Sequence, residues 1–140
     1  LLKTAERLVA SVLSEATNDF CRAASSVLVE GEKLFIELFD GNRQVCRLGL
    51  LRRELYIPWQ ALSGAERARC LAAIASAWAS STRAELKLVV IDDVWLDSTS
   101  LAAICAGLAR GVQTELISQA IVCAVTDYGL VPPGWERVLV

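Results

Sequence analysis

Histidine and methionine are both absent from this chain of 140 residues, and proline occurs only three times. With no histidine to complete a zinc site and no Cys-x-x-Cys pair, the five cysteines do not match a zinc-binding pattern. We therefore expect reduced thiols in the core at Cys21, Cys46, Cys70, Cys105 and Cys123. The low proline content and the 54% share of hydrophobic residues exclude a disordered chain and predict a packed domain.

Long apolar runs and a charge excess of one sign are also missing. No apolar run reaches the roughly eighteen residues that cross a bilayer, and the N-terminus shows no signal-peptide pattern. The net charge of −2 is dispersed, so the composition shows no basic field for nucleic acid. We expect a soluble cytoplasmic protein without a membrane partner, in which any DNA contact, such as nucleoid association, belongs to a larger assembly. The start at Leu1-Leu2-Lys3 indicates a single domain cut from a longer protein.

The first part of the chain is predicted to form a long helix and a β-hairpin. Apolar residues recur every three to four positions over residues 2 to 24, which predicts an amphipathic helix within 1–25. This pattern fits a coiled-coil segment and an ordinary helix packed on a sheet equally well. Two strand-like segments flank Asp40-Gly41-Asn42, whose residues tolerate positive φ, so we expect a hairpin over 33–49.

Residues 60–140 alternate between helical and strand-like patterns. The predicted elements are a helix from Ser63 to about Ser80, a strand at 86–91, a helix capped by Ser98 or Thr99 that stops at Gly111, a strand at 119–125 and a last strand from Trp135. The order strand, helix, strand predicts a right-handed βαβ unit. The fold class is therefore α/β, with a mostly parallel sheet flanked by helices.

The turn that opens the first of these helices has two physical interpretations. Ser63 is a good N-cap, and Glu66 three residues later completes a capping box, so helix initiation alone explains both residues. A capping box does not need the small residues Gly64 and Ala65. Small residues at a positive helix end allow a phosphate to approach the backbone N–H groups, which is the chemistry of an anion site.

Three motifs, one after another along the chain, give it a family resemblance. Leu62-Ser63-Gly64-Ala65-Glu66-Arg67 precedes Leu88-Val89-Val90-Ile91-Asp92-Asp93 and then Trp95-Leu96-Asp97. This order resembles the C-terminal lobe of an ABC-type ATPase head, as in SMC-, RecF- and RecN-like proteins of DNA repair, maintenance or defence. The resemblance implies a P-loop NTPase-like lobe in which the N-terminal helix is the coiled-coil entry.

In that family the signature turn binds the γ-phosphate of ATP held by the opposite subunit. The resemblance carries this role to Ser63 and Gly64, with Ala65 in place of the usual second glycine and Glu66 at the end of the motif. Asp97 matches the segment that crosses the interface between two heads. It is equally well placed to cap the helix that begins at Ser98.

The resemblance also implies a hydrolytic centre at the end of the strand. Asp92 matches the carboxylate that holds Mg²⁺, usually through water, and Asp93 stands where a glutamate normally polarises the attacking water. Because Asp93 is one methylene shorter, we expect slow hydrolysis. Thr126 occupies the place of the switch histidine, where its hydroxyl can bind a phosphate or a water, although strand ends commonly carry threonine.

A phosphate-binding loop is missing, because none of the eight glycines is followed by lysine. The resemblance therefore implies an ATPase only in combination with an N-terminal P-loop lobe, on the same parent chain or another polypeptide, and a second head that closes the dimer around ATP. Two alternatives stay open: a catalytically silent α/β interaction module, or a fragment of a transporter nucleotide-binding subunit.

The arginines give a weaker signal than the motifs. Arg67 and Arg69 could meet a partner or relay the ATP state, but solvated side chains are the default expectation at such positions. Along the hairpin and its exit, arginines interleaved with Glu54 form only a weak patch; these are Arg43, Arg47, Arg52 and Arg53.

Overall fold

The structure is a computed structural model that describes residues 2–41, 43–93, 96–124 and 131–138, without the side chains of residues 2, 3 and 93. The elements in chain order are α1 (Leu2–Ser25), β1 (Glu32–Asp40), β2 (Arg43–Arg52), β3 (Leu55–Pro58), a 3₁₀ turn (Trp59–Ala61), α2 (Gly64–Ser81), β4 (Leu88–Asp93), α3 (Ser98–Gln113) and β5 (Gln119–Ala124). The predicted N-terminal helix, the hairpin and the α/β class are confirmed.

The first sheet is antiparallel, with the strand order β1-β2-β3. Gly41 takes a left-handed φ of 60° in the hairpin turn, as its lack of a side chain allows. Next to the turn Asp40 lies opposite Arg43, but a bulge between Glu37 and Phe39 shifts the register, so that Glu32 lies opposite Arg52 at the far end. This shift brings together two charged side chains that the unshifted register would separate.

The second sheet consists of β4 and β5, which pair in parallel from Leu88 opposite Gln119 to Asp93 opposite Ala124. The predicted strand, helix, strand unit is thus confirmed. The expectation of a mostly parallel sheet is not met in the described residues, because the larger sheet there is antiparallel. A short turn connects the two strands of the hairpin directly. Strands that are joined by so short a connection can pair only in the antiparallel direction.

Helix α2 is the centre of the molecule and takes part in two core clusters. The first cluster lies between the end of α1, the first sheet and α2; its buried members are Ala24, Val27, Leu28, Leu34, Leu50, Leu62, Cys70, Ala73 and Ala77. The second lies between α2, α3 and the second sheet; its buried members are Ala72, Val89, Leu96, Ile104, Leu108 and Ile117. The many alanines of α2 allow it to pack closely on both sides.

Helix α3 confirms one of the predictions for its start and differs from the prediction at its end. Its N-cap is Asp97, rather than Ser98 or Thr99, and it continues through Gly111 to Gln113. The C-cap is Thr114, and the next residue, Glu115, takes a left-handed φ of 59° as the chain turns away from the helix. Gly111 serves packing instead, because a Cβ there would lie 3.0 Å from Cγ1 of Val27.

The last strand predicted from Trp135 is not found in residues 131–138, and residues 139–140 lie outside the described part. The segment forms a turn in which the Trp135 N–H donates to the Pro132 carbonyl at 3.1 Å. The Trp135 indole Nε1 donates to the Cys105 carbonyl at 3.1 Å and the ring packs against the second cluster. The apolar residues of this segment hold it against α3 and do not form a strand.

The cysteines are free, as predicted, but they are not all in the core. Cys70 and Cys105 are buried and Cys21 is half-buried, whereas Cys46 and Cys123 are exposed. Burial raises the pKa of the Cys70 thiol to about 11. The expectation of core thiols was wrong for Cys46 and Cys123 because each lies on the solvent side of its sheet.

Candidate functional site

The turn at the start of α2 contains a complete capping box. The Ser63 Oγ accepts a hydrogen bond from the Glu66 N–H at 3.3 Å, and Glu66 Oε2 accepts one from the Ser63 N–H at 2.8 Å. Leu62 anchors the turn in the first core cluster. The capping prediction for Ser63 and Glu66 is therefore confirmed.

Gly64 is different from the other glycines that the structure describes. Three of them have a left-handed φ, and three others have neighbouring atoms within 4 Å of an added Cβ. Gly64 has neither: its φ is not left-handed, and nothing lies within 4 Å of an added Cβ. The next residue, Ala65, packs its methyl group against the second core cluster. The fold itself thus explains Ala65 but does not require glycine at position 64.

The carboxylate of Glu66 is held on its other side by Arg52, at the end of β2. The Arg52 Nη2 donates to Glu66 Oε1, while Glu66 Oε2 remains in the capping box. The Arg52 guanidinium and the hydrogen bonds from Ser63 lower the pKa of Glu66 to about 2. At neutral pH Glu66 is therefore an anion that is committed to partners within its own chain.

Arg52 also contacts a second carboxylate, which is buried. Its Nε and Nη2 donate to Glu32 Oε1 at 3.0 and 2.6 Å. Arg69, one turn along α2 from Glu66, donates to the same Glu32 oxygen at 3.3 Å. We call these four residues, Glu32, Arg52, Glu66 and Arg69, the charge cluster. Its two acids and two arginines balance, which is the condition for placing charges in a partly buried site.

Arg67 and Arg69 are not solvated surface residues, contrary to the default expectation. The Arg67 guanidinium donates to the backbone carbonyls of Trp59 and Gln60 at 3.3 and 2.9 Å. The Arg69 side chain is only 15% exposed and bonds Glu32. Both arginines fix the start of α2 onto the chain that precedes it.

Asp92 lies at the carboxyl end of β4, where its backbone pairs with Cys123 in the second sheet. Its side chain is exposed, and its carboxylate takes part in none of the hydrogen bonds or ion pairs among the described residues. The backbone of Asp93 pairs with Ala124 at the last position of the sheet, and its side chain lies outside the description. Among the described residues, no three cysteine or acidic side chains are placed so that they could hold a metal ion together. A free carboxylate suits Mg²⁺, which keeps several waters and needs one or two protein oxygens.

Asp97 acts as the N-cap of α3. Its Oδ1 accepts from the Ser100 N–H at 2.9 Å, and its Oδ2 accepts from the Ser100 hydroxyl at 2.8 Å. These hydrogen bonds lower the pKa of Asp97. Of the two roles foreseen for Asp97, capping accounts for its observed contacts. Thr126 and Trp95 lie outside the described residues.

Glu66 joins Ser63 to Arg52, whereas no hydrogen bond or ion pair among the described residues joins Asp92 or Asp97 to that turn. Sequence reasoning missed Glu32 and Arg52 as partners of the turn. Counting outward from the hairpin turn, where Asp40 faces Arg43, puts Leu51 opposite Glu32; the bulge moves Arg52 there instead. A pattern of alternation does not reveal a single inserted residue, so no clear signal pointed to this pair.

Among the described helices, none combines the length and the hydropathy that a membrane crossing requires. No protein-family model matches the chain, and a comparison with curated proteins gives no match either.

Proposed function

We propose that this chain is the C-terminal lobe of an ATP-binding and hydrolysing head of the SMC/RecF-like type. In this proposal the α2 turn contacts ATP held by a second head, and a separate lobe supplies the P-loop. The family motifs motivate the proposal, and one observation carries it: Gly64 is a glycine that neither backbone conformation nor packing explains. Close approach of a ligand to the backbone is a common reason for such a glycine.

The groups at the turn are suited to a phosphate. The N–H groups of Gly64 and Ala65 lie in the first turn of α2, where helical N–H groups have no partner within the helix. The Ser63 Oγ accepts from the Glu66 N–H, so its own hydrogen is available to donate to a phosphate oxygen. The positive end of the helix dipole favours the same anion.

The second sheet, which has two strands in the described residues, supports the proposal of a separate lobe. Leu88, Val90, Ile121 and Cys123 form what we call the open face; Val90 is 55% exposed, although its neighbour Val89 on the other face is 3% exposed. Parallel sheets are normally covered on both faces and contain more than two strands. An N-terminal lobe that supplies the P-loop would cover this face.

At the end of β4, Asp92 is the residue that would hold Mg²⁺, which supplies positive charge against the phosphates of ATP. The proposed role of Asp93 is to orient and deprotonate the attacking water. Asp97, through its contacts with Ser100, holds the first turn of α3 that follows these acids. With aspartate in place of glutamate, hydrolysis is expected to be slow relative to binding.

The first test is Gly64→Ala in the head assembled from this chain and its P-loop lobe. An added methyl lies within 4 Å of no atom among the described residues, so the free energy of unfolding should stay within about 0.5 kcal/mol of the unsubstituted chain. ATP-dependent dimerisation, measured by analytical ultracentrifugation with Mg²⁺ and ATP, should fall about tenfold or more. Ser63→Arg should abolish it, and a dimer that persists in both variants would refute the signature assignment.

The alternative of a silent interaction module predicts a different result for the acids. Asp93→Asn should then leave ATP turnover of the assembled head unchanged, because no water is activated there. The proposed enzyme predicts a loss of about 100-fold or more, the usual range for removal of a general base. Asp40→Asn, which removes an exposed acid with no proposed role at the nucleotide, serves as the control and should leave turnover unchanged.

A further inference from the structure

The charge cluster joins the proposed nucleotide-contacting turn to the first sheet. Arg52 belongs to β2 and Glu32 to β1, whereas Glu66 and Arg69 belong to the first turns of α2. Each arginine contacts Glu32, and Arg52 alone among them contacts both acids. If the end of β2 that carries Arg52 is displaced relative to α2, either the contacts of Arg52 break or Glu66 moves with it.

Glu66 is the critical member, because its two carboxylate oxygens serve two different partners. One oxygen accepts from the Ser63 N–H and keeps the turn in its helical cap; the other is held by Arg52. Without Arg52, this carboxylate would be an unbalanced negative charge within one helical turn of Ser63 and Gly64. Because like charges repel, this carboxylate would oppose the approach of a negatively charged phosphate.

We propose that Arg52 is a positioning residue for the phosphate-contacting turn: it neutralises Glu66 and holds it in the capping box, so that the state of the hairpin sets the affinity of the turn for the partner head's nucleotide. This inference rests on the proposed function for the phosphate contact. The coupling between Arg52 and the shape of the turn is a property of the isolated chain. A partner that displaces the end of β2 at Arg52 would lower the affinity of the turn for nucleotide without contacting the turn itself.

The first experiment uses the isolated chain and compares Arg52→Ala with Arg47→Ala. Arg47 lies on the same strand and forms its ion pairs with Glu37 at 2.7 Å and Asp40 at 3.7 Å, both on β1, which makes it a matched control. Hydrogen exchange of the amides of Ser63 and Glu66, followed by NMR, should accelerate about tenfold in Arg52→Ala and stay unchanged in Arg47→Ala. Equal exchange rates in the two variants would overturn the positioning role.

The second experiment measures ATP-dependent dimerisation of the assembled head. Arg52→Ala should weaken it about tenfold, within the usual range for linked sites, and the loss should shrink at high salt. Adding Glu66→Gln to Arg52→Ala should restore the affinity, because glutamine still completes a capping box but carries no charge. A merely structural role of Arg52 predicts no such rescue, and failure of the rescue would overturn the neutralisation. If Ser63→Arg leaves the dimer intact, the proposed function fails, while the exchange experiment still decides the coupling.

Discussion

The two sheets of this protein differ in how completely the described residues cover their faces. The antiparallel sheet has one face on the first core cluster, where Leu34 and Leu50 are fully enclosed by α1 and α2. The parallel sheet has helices on one face, and its open face presents Leu88, Val90 and Ile121 to solvent. A parallel pair is usually enclosed on both sides, so the second sheet has the composition of a buried element, but the described residues cover only one of its faces.

This difference separates residues whose contacts lie within the chain from residues that the proposed function assigns to association. Around the first sheet, polar groups such as Glu32 and Arg52 have partners within the chain. At the end of the second sheet, Asp92 is exposed beside exposed apolar side chains. We therefore expect substitutions near the first sheet to change folding, and substitutions near the second to change association.

The sharpest test of this contrast replaces one apolar residue in each sheet. Leu50→Ala leaves a cavity in a fully buried site and should lower the free energy of unfolding by about 2–5 kcal/mol. Val90→Ala should change it by less than about 0.5 kcal/mol in the isolated chain. Urea unfolding of both variants measures the two values, and comparable losses would contradict the contrast between the sheets.

A smaller effect is expected where α3 crosses the end of α1. A Cβ added at Gly107 would lie 2.0 Å from the carbonyl oxygen of Val27, a backbone atom that has no side-chain freedom to move away. Gly107→Ala should therefore cost about 1–3 kcal/mol, the usual range for overpacking. Thermal unfolding followed by circular dichroism provides the measurement. Gly64→Ala, in open space, is the control and should leave the melting temperature nearly unchanged.

The pH dependence of stability tests the link between the first sheet and α2. Because the folded pKa of Glu66 is lowered to about 2 from an ordinary 4.5, its carboxylate stabilises the fold above pH 4.5, and this contribution is lost as the pH falls towards 2. Glu66→Gln should cost about 1 kcal/mol or less at neutral pH. The gap between the two proteins should close on acidification in parallel urea titrations; a constant gap would show that the charge of Glu66 does not contribute.

The smallest perturbation uses the thiols, one of which lies on the solvent side of each sheet. Cys46 and Cys123 should react rapidly with a disulfide reagent in the native chain, while Cys70, with its raised pKa, and buried Cys105 should react only on unfolding. In the assembled head, Cys123 should become protected, whereas Cys46 should stay reactive. Protection of both would indicate that a partner covers the hairpin as well.

The sequence allowed prediction of local features and failed where a tertiary detail intervened. The periodicity of α1, the hairpin at Gly41 and the capping box at Ser63 follow from spacing and turn chemistry, and all are present. The pairing of Glu32 with Arg52 depends on a bulge that no alternation pattern predicts. The stop of α3 was wrong because Gly111 was interpreted as a terminator, when close packing against Val27 accounts for it.

Helix α2 has one further consequence, for folding. Cys70 and Ala73 belong to one core cluster and Ala72 to the other, so neither cluster can form until this helix is in place. Because the two clusters share this helix, the disruption of one cluster also destabilises the other. The chain should consequently unfold in one cooperative transition, and the central amides of α2 should exchange only through global opening.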